Sequence, residues 1–244
     1  MSGHSKWNNI KHKKEKTDAQ RAKVFTKIGK EMAIAIRAGG PDPSVNGKLR
    51  DLISKAKSLN VPNDNIERVI KKFSANDDIV YEEITYEGYG PSGVAVIVET
   101  ATDNRNRTAG NVRSYFSKYH GNMGQSGCVS FMFEEKGVIL VSDSEGDTVI
   151  DEDALMDTAI EAGASDVISE EEGCFEVYTE PSDLPAVRDA LAASGFPIES
   201  AEVEKVPSSY TTLDNEDDVK MMELLLEKLE DDDDVQNVYH NWEA

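Results

Sequence analysis

Cysteine is scarce in this chain of 244 residues. There are two, Cys128 and Cys174, without CxxC spacing and without a clustered histidine. A disulfide-stapled scaffold and a thiolate metal site are therefore not expected, and both thiols read as reduced core residues of an intracellular protein. Long apolar runs are missing too. The longest aliphatic stretches, Val94–Val98 and Val138–Val141, fall far short of the roughly 20 residues that span a bilayer. No apolar stretch follows the lysine of the opening Met-Ser-Gly-His-Ser-Lys-Trp, so no secretory signal is expected. A cytoplasmic location with no membrane partner follows.

Signatures of small-molecule chemistry are lacking as well. Gly47-Lys48 stands at the wrong distance from Gly40 for a phosphate loop and has no Ser or Thr after it. Gly124-Gln125-Ser126-Gly127-Cys128 misses the nucleophile-elbow pattern at its last position; its glycines, with Gly121, read as the end of a helix turning into a strand. Among 47 carboxylates, close pairs arise by chance and identify no acid–base couple. No enzyme, cofactor, metal or small-molecule substrate is expected.

What the chain does have is a divided charge. Residues 1–74 carry 17 Lys and Arg against 7 Asp and Glu, whereas residues 75–244 carry 9 against 40. The overall net charge of −21 hides this split. A dense basic segment attracts polyanions at long range; the plainer reading is a lysine-rich solvated surface.

Periodicity sorts the chain into elements. Thr17 to Gln20 fits a capping box, opening a helix that runs to Ala38 and stops at Gly39-Gly40-Pro41. Phe25, Ile28, Met32, Ala35 and Ile36 share one face of it. Lys16, Lys23, Lys27, Lys30 and Arg37 cluster within about 80° on the other side, interrupted by Ile34. A second helix turns Leu49, Leu52, Ile53 and Ala56 inward. A third begins near an Asp64-x-x-Glu67 capping box and buries Ile66, Val69, Ile70 and Phe73. Beyond Ser74 the period changes. Strands are expected at Tyr81–Tyr89, Val94–Ala101, Cys128–Phe133, Gly137–Ser142, Cys174–Thr179, Glu199–Val206 and Val235–Tyr239. Helices are expected at Asn104–Tyr119, Asp153–Ala162, Ser182–Ala193 and Val219–Leu229. The fold class is α+β: a three-helix bundle followed by two small α/β sandwiches, the second inserted into the first. The expected domains are 1–76 (basic and helical), 77–135 with 206–244 (split) and 136–205 (acidic insert).

Two regions suit a polyanion. The segment from His4 to Lys14 has no acid and mixes His4, Lys6, Trp7, Lys11, His12, Lys13 and Lys14 with amide donors. Lysines suit phosphates and Trp7 an exposed base; the alternative is a frayed terminus with Trp7 packed on the bundle. His4 and His12 are too far apart, with no carboxylate or cysteine partner, to be metal ligands. A second basic island lies between Asn104 and Phe133, where no Asp or Glu occurs and Arg105, Arg107, Arg113 and Lys118 do. Asp103-Asn104-Arg105-Asn106-Arg107-Thr108 stands where a strand feeds a helix. There, helix-start amides and arginines suit phosphate, or the arginines pair with neighbouring acids. The run Asp231–Asp234 reads as a solvated charge run after a helix, in preference to a site that collects a divalent cation.

Several motifs carry a resemblance. They are Gly-His-Ser-Lys-Trp at 3–7, Ile10-Lys11-His12-Lys13, Phe25-Thr26-Lys27, Tyr86-Glu87-Gly88-Tyr89-Gly90-Pro91, Asp103–Thr108 and Asp233–Asn241. Together, in this order along the whole chain, they resemble the YebC/PmpR family. The resemblance implies a helical N-terminal domain followed by two α/β domains, with no enzyme activity and no cofactor. The family is usually labelled as transcriptional regulators, some of which bind DNA; other members, one of them mitochondrial, look like translational activators acting on the ribosome. The expectation is a nucleic-acid-binding regulator of gene expression whose partner is ribosomal RNA or DNA. Its contacts would be His4, Lys6, Trp7, Lys11, His12, Lys13, Lys14, Lys23, Lys27, Lys30, Arg105 and Arg107. The alternative is an acidic protein-interaction module whose basic N-domain docks on its own α/β domains.

Overall fold

A computed structural model describes residues 18–74, 79–142, 150–171 and 173–243. The chain begins with helices α1 (Asp18–Gly39), α2 (Gly47–Ser58) and α3 (Asn63–Ser74), then strands β1 (Glu82–Tyr89) and β2 (Ala95–Thr102), helix α4 (Arg105–Lys118) and strand β3 (Asn122–Met123). Next come β4 (Phe133–Ser142), α5 (Glu152–Glu161), β5 (Asp166–Glu171), β6 (Cys174–Thr179), α6 (Leu184–Ala193), β7 (Ile198–Pro207) and β8 (Thr211–Thr212). The chain ends with α7 (Glu216–Asp231), β9 (Val235–His240) and β10 (Trp242–Glu243). The class is α+β with antiparallel four-stranded sheets. Contacts divide the described residues into two compact units, one within Lys16–Ser130 and Asp214–His240, the other within Phe131–Leu213 and Asn241–Ala244.

In the first unit the helical bundle buries Ile28, Met32, Ala35 and Ile36 of α1 against Leu49, Leu52 and Ala56 of α2 and Ile66 of α3. This is the apolar face that the 3.6-residue spacing specifies. Asn46 locks the first corner. Its side-chain oxygen accepts from Leu49 N (3.1 Å), capping α2, while its amide donates to the carbonyls of Ala35 and Gly40 (2.8 and 2.7 Å). Asp64 lies inside the first turn of α3, where its charge suits the helix dipole, and not at the capping position expected from sequence.

The first sheet has the order β3-β1-β2-β9. β1 and β2 form a hairpin whose Ser92 (φ 50°) and Gly93 (φ 84°) are the left-handed pair of a type I′ turn. β2 is central, and Ala95, Val96, Ile97 and Val98 are fully buried. β9, from the far end of the chain, pairs antiparallel with β2. Thr108, Val112 and Phe116 of α4 and Met222, Leu225 and Leu229 of α7 supply buried faces. Gly88 admits this packing: a Cβ there would stand 2.6 Å from the Asn122 carbonyl and 3.0 Å from the Phe116 ring.

The second unit runs β4-α5-β5-β6-α6-β7 with strand order β5-β6-β4-β7, a βαββαβ sandwich. Ile139, Val141, Phe175 and Val177 from the sheet pack with Leu155, Val187 and Leu191 from the helices. Two sequence expectations fail locally. Residues 130–132 form a short 3₁₀ turn, so the strand expected at Cys128–Phe133 is absent and β4 starts at Phe133. Cys128 accordingly lies in a loop, while Cys174 is buried in β6. β5, which lacks a clear apolar alternation, is absent from the expected strands; its pairing with β6 creates it. No helix among the described residues is long and apolar enough to cross a membrane.

Candidate nucleic-acid interface

Of the residues picked out by sequence, His4, Lys6, Trp7, Lys11, His12, Lys13 and Lys14 lie outside the described residues. Lys23, Lys27, Lys30 and Arg107 gather around one corner, residues 230–234, whereas Arg105 meets Tyr86. Lys23, Lys27 and Lys30 recur along one side of α1, and that side meets the last turn of α7 and the segment that leads into β9. Lys23 Nζ stands 2.7 Å from Asp231 Oδ1, Lys27 Nζ donates to the Glu230 carbonyl (2.6 Å), and Lys30 Nζ donates to the Asp233 carbonyl (2.7 Å) and to Asp234 Oδ1 (2.6 Å). These contacts join residues more than two hundred positions apart.

Asp231–Asp234 is thus only in part the solvated run read from sequence: Asp231 and Asp233 are exposed, Asp232 is half-buried and Asp234 is buried. Asp234 is 4% exposed. Its second oxygen accepts from Arg107 Nη2 (2.7 Å), Thr108 Oγ1 (2.7 Å) and Thr102 Oγ1 (3.2 Å). Asp232 accepts from Tyr115 Oη (3.0 Å), from the Asn111 amide (3.2 Å) and from the backbone N–H of Asp234 (2.9 Å). A buried charge is tolerated only with partners that replace water, and Asp234 and the half-buried Asp232 have them. Burial pushes the Asp234 carboxyl up, but Lys30, Arg107 and Thr108 outweigh it and hold its pKa at about 2. The hydrogen bond to Asp231 raises Lys23, and the same bond lowers Asp231. Burial, then the bond to Asp232, pushes Tyr115 up to about 12.

The Asp103–Thr108 motif divides its labour. Asn104 caps α4 by accepting from Arg107 N (3.1 Å). Arg107 turns to Asp234 and to Asp103 (2.8 Å), which raises its pKa, so this arginine pairs with neighbouring acids. Arg105 is exposed at the start of α4, and its carbonyl accepts from Tyr86 Oη (3.4 Å). Lys23, Lys30, Tyr81, Arg107 and Asn111 line, with Asp231–Asp234, a cleft of about 480 Å³. Lys23 and Asp231 stand at its rim, with side chains 39% and 48% exposed.

Other cations stay clear of the corner. Arg37, Arg50, Lys57, Arg68 and Lys71 are exposed and make no ion pair among the described residues. Arg50, Ser54 and Lys57 fall on one side of α2, four and three residues apart. The reading from sequence leaves out Arg50 and Lys57 because it weights the α1 stripe, the His4–Lys14 segment and the 104–133 island.

A further acid is concealed. Glu87, in β1, is 5% exposed, and its carboxylate accepts from the backbone N–H groups of Gly127 (2.7 Å), Val129 (2.9 Å) and Ser130 (2.8 Å). Burial alone would raise its pKa, but these donors bring it below the usual carboxylate value. The glycine-containing loop after β3 therefore wraps a carboxylate, with Gly127 at φ 88°.

The model of the TACO1/YebC protein N-terminal domain matches residues 5–76, and that of the TACO1/YebC second and third domain matches residues 81–242. A probable transcriptional regulatory protein of Acetivibrio thermocellus is 56% identical over 99% of both chains. One from Clostridium beijerinckii is 56% identical over 100% of this chain and 97% of its own. The crystal structure of a conserved hypothetical protein from Aquifex aeolicus superposes with a TM-score of 0.83 at 45% identity, covering 93% of this chain and 92% of that one. The chain belongs to the TACO1/YebC family.

Proposed function

We propose that this protein is a cytoplasmic, non-enzymatic regulator of gene expression that binds nucleic acid through its helical N-terminal region. The observation that carries the reading is the concentration of cations in residues 1–74, 17 Lys and Arg against 7 acids, on a chain of net charge −21. The name shared by its relatives, probable transcriptional regulatory protein, agrees with it. The division of labour follows the charge: 1–76 binds, 77–135 with 206–244 braces the bundle, and 136–205 is an acidic insert that a polyanion repels.

Arg50 and Lys57 on α2 with Arg68 and Lys71 on α3 contact phosphates directly. His4, Lys6, Trp7, Lys11, His12, Lys13 and Lys14 supply an arm, and Arg105 a further cation. Lys23 and Lys27 join only by leaving Asp231 and Glu230, so they act in exchange for an internal partner. Lys30 and Arg107 are fastened to buried Asp234 and hold the bundle in place. RNA is the favoured target, because no helix-turn-helix reader with base-edge side chains stands out and an arm carrying Trp7 and His12 suits irregular RNA.

Crosslinking by ultraviolet light in living cells, followed by sequencing of the attached nucleic acid, tests this. Reads concentrated in ribosomal or transfer RNA identify a translation factor; reads at a few promoters identify a DNA-binding regulator. Recovery of neither overturns the proposal and leaves the basic region as an internal docking surface, the reading that the Lys23–Asp231 and Lys30–Asp234 contacts favour.

A further inference from the structure

The acid-free island at 104–133 acquires a surface once it folds. The inner side of α4 is Thr108, Val112 and Phe116, all buried. Arg107 is spent on Asp234 and Asp103. The outer side keeps Asn106, Gly110, Arg113, Ser114 and Ser117, with Lys118 at the end, all exposed. Each of the other three helices that accompany the sheets, α5, α6 and α7, carries exposed acids, such as Asp157, Asp189 and Glu223; α4 carries none. The band continues past the helix through exposed His120, Asn122, Gln125 and Ser126. The nearby carboxylate of β1, Glu87, is turned inward and covered by three amides.

We infer that the outer face of α4 is a second nucleic-acid surface, which grips a stretch of phosphate backbone while the helical bundle holds another. This rests on the nucleic-acid reading above. The partner follows from the chemistry: cationic and short hydrogen-bonding side chains with no acid among them, on a chain of net charge −21, suit phosphate oxygens and repel no polyanion. Asn106, Ser114 and Ser117 donate, and Arg113 supplies the bidentate fork. Gly110 matters through what it omits. A Cβ there would meet nothing within 4 Å, so the fold gains nothing from glycine at this point, and a mid-helix glycine weakens the helix. Its effect is a low profile midway along the exposed side, where a sugar-phosphate backbone can come close.

The test uses the full chain and a fluorescently labelled RNA hairpin, with a DNA duplex of matching sequence as the second probe. Three variants are compared by anisotropy across a salt series: Arg113→Glu with Lys118→Glu, Gly110→Gln, and Arg50→Glu with Lys57→Glu. Reversal of the α4 pair is expected to lower affinity at least about tenfold and to make the salt slope shallower by about 0.7–0.9 for each phosphate that is no longer neutralised. Gly110→Gln is expected to lower affinity several-fold while the melting temperature stays level or rises, which separates blocked approach from damaged folding. If both α4 variants bind as the parent does while the Arg50/Lys57 variant is impaired, the α4 surface is wrong and the function stands. If none of the three alters binding, the α2 and α4 surfaces are both wrong; if the parent chain binds neither probe, the nucleic-acid reading itself falls.

Discussion

Replacing Asp234 by Asn removes one charge from the point where three elements meet, and the structure sets the size of the effect. The carboxylate is 4% exposed and faces Lys30 Nζ at 2.6 Å and Arg107 Nη2 at 2.7 Å. Its pKa of about 2, against an ordinary 3.8, corresponds to about 2 kcal/mol of native-state stability at neutral pH. The variant also leaves the Lys30 ammonium, 9% exposed, without its carboxylate, and breaking one partner of a buried pair costs about 3–5 kcal/mol. Lys30 keeps the Asp233 carbonyl at 2.7 Å, so the lower end, about 3 kcal/mol, is expected. At roughly 2–4 °C per kcal/mol for a chain of this size, the melting temperature falls by about 6–12 °C. Because the folded pKa is depressed, the contribution is fully present above the unfolded value and is lost as pH falls from about 4 towards 2. Asp234→Asn should therefore flatten the loss of stability across that window. Lys30→Met combined with Asp234→Asn should cost less than the sum of the two, because no uncompensated buried charge remains at the pair. Urea unfolding, with hydrogen exchange read on β2 and β9 amides, measures all three. A change below about 0.5 kcal/mol for Asp234→Asn would refute the view that this residue pins α1 to the sheet.

At the rim the same chemistry is weak. Lys23→Gln, which breaks a pair with side chains 39% and 48% exposed, should cost under about 1 kcal/mol in a thermal melt, whereas Asp231→Asn should raise RNA affinity several-fold at low salt by releasing Lys23. Glu87→Gln should lose about 2–3 kcal/mol in chemical denaturation at neutral pH, since the Gly127, Val129 and Ser130 amides lose a charged acceptor. Because the folded pKa of Glu87 is depressed, that penalty should shrink as pH falls below the usual glutamate value. Ultraviolet titration should find a tyrosine that ionises near 12, and Tyr115→Phe should remove that step.

The elements are legible where a local period decides them. α1 shows its apolar face in its own sequence, and β6 is readable at Cys174–Thr179 because its alternation and flanking turns are local. β5 is not legible: Asp-Val-Ile-Ser-Glu-Glu has no clean alternation, and its strand state depends on pairing with β6. The strand expected through Val129 and Ser130 fails for a traceable reason. The carboxylate of Glu87, some forty residues earlier, takes the N–H groups of both, donors that a ladder would have used. The candidate site is legible in composition and illegible in partnership. A helical wheel places Lys23, Lys27 and Lys30 together, yet nothing within α1 says that they meet residues 230–234. The one available signal is an uninterrupted Asp run just ahead of a strand, on a chain that also carries a basic helix.

That partnership changes what the charge split means. The net positive charge of the first 74 residues overstates the free cationic surface, because Lys23 and Lys30 already face carboxylates, as Arg107 does in the island beyond. A phosphate that takes Lys23 from Asp231 gains one contact and leaves one carboxylate to be solvated anew, so the net gain is small and weakly dependent on salt. A phosphate that meets Arg50, Lys57 or Arg113 displaces no internal partner. The salt slope of binding should consequently count the free cations and not the full complement of lysines and arginines. A slope that matched the full complement would mean that the acidic corner opens on binding, with Lys30 and Arg107 leaving Asp234. The geometry of Asp234 argues against that: opening would break its bonds to Lys30, Arg107, Thr108 and Thr102 at once.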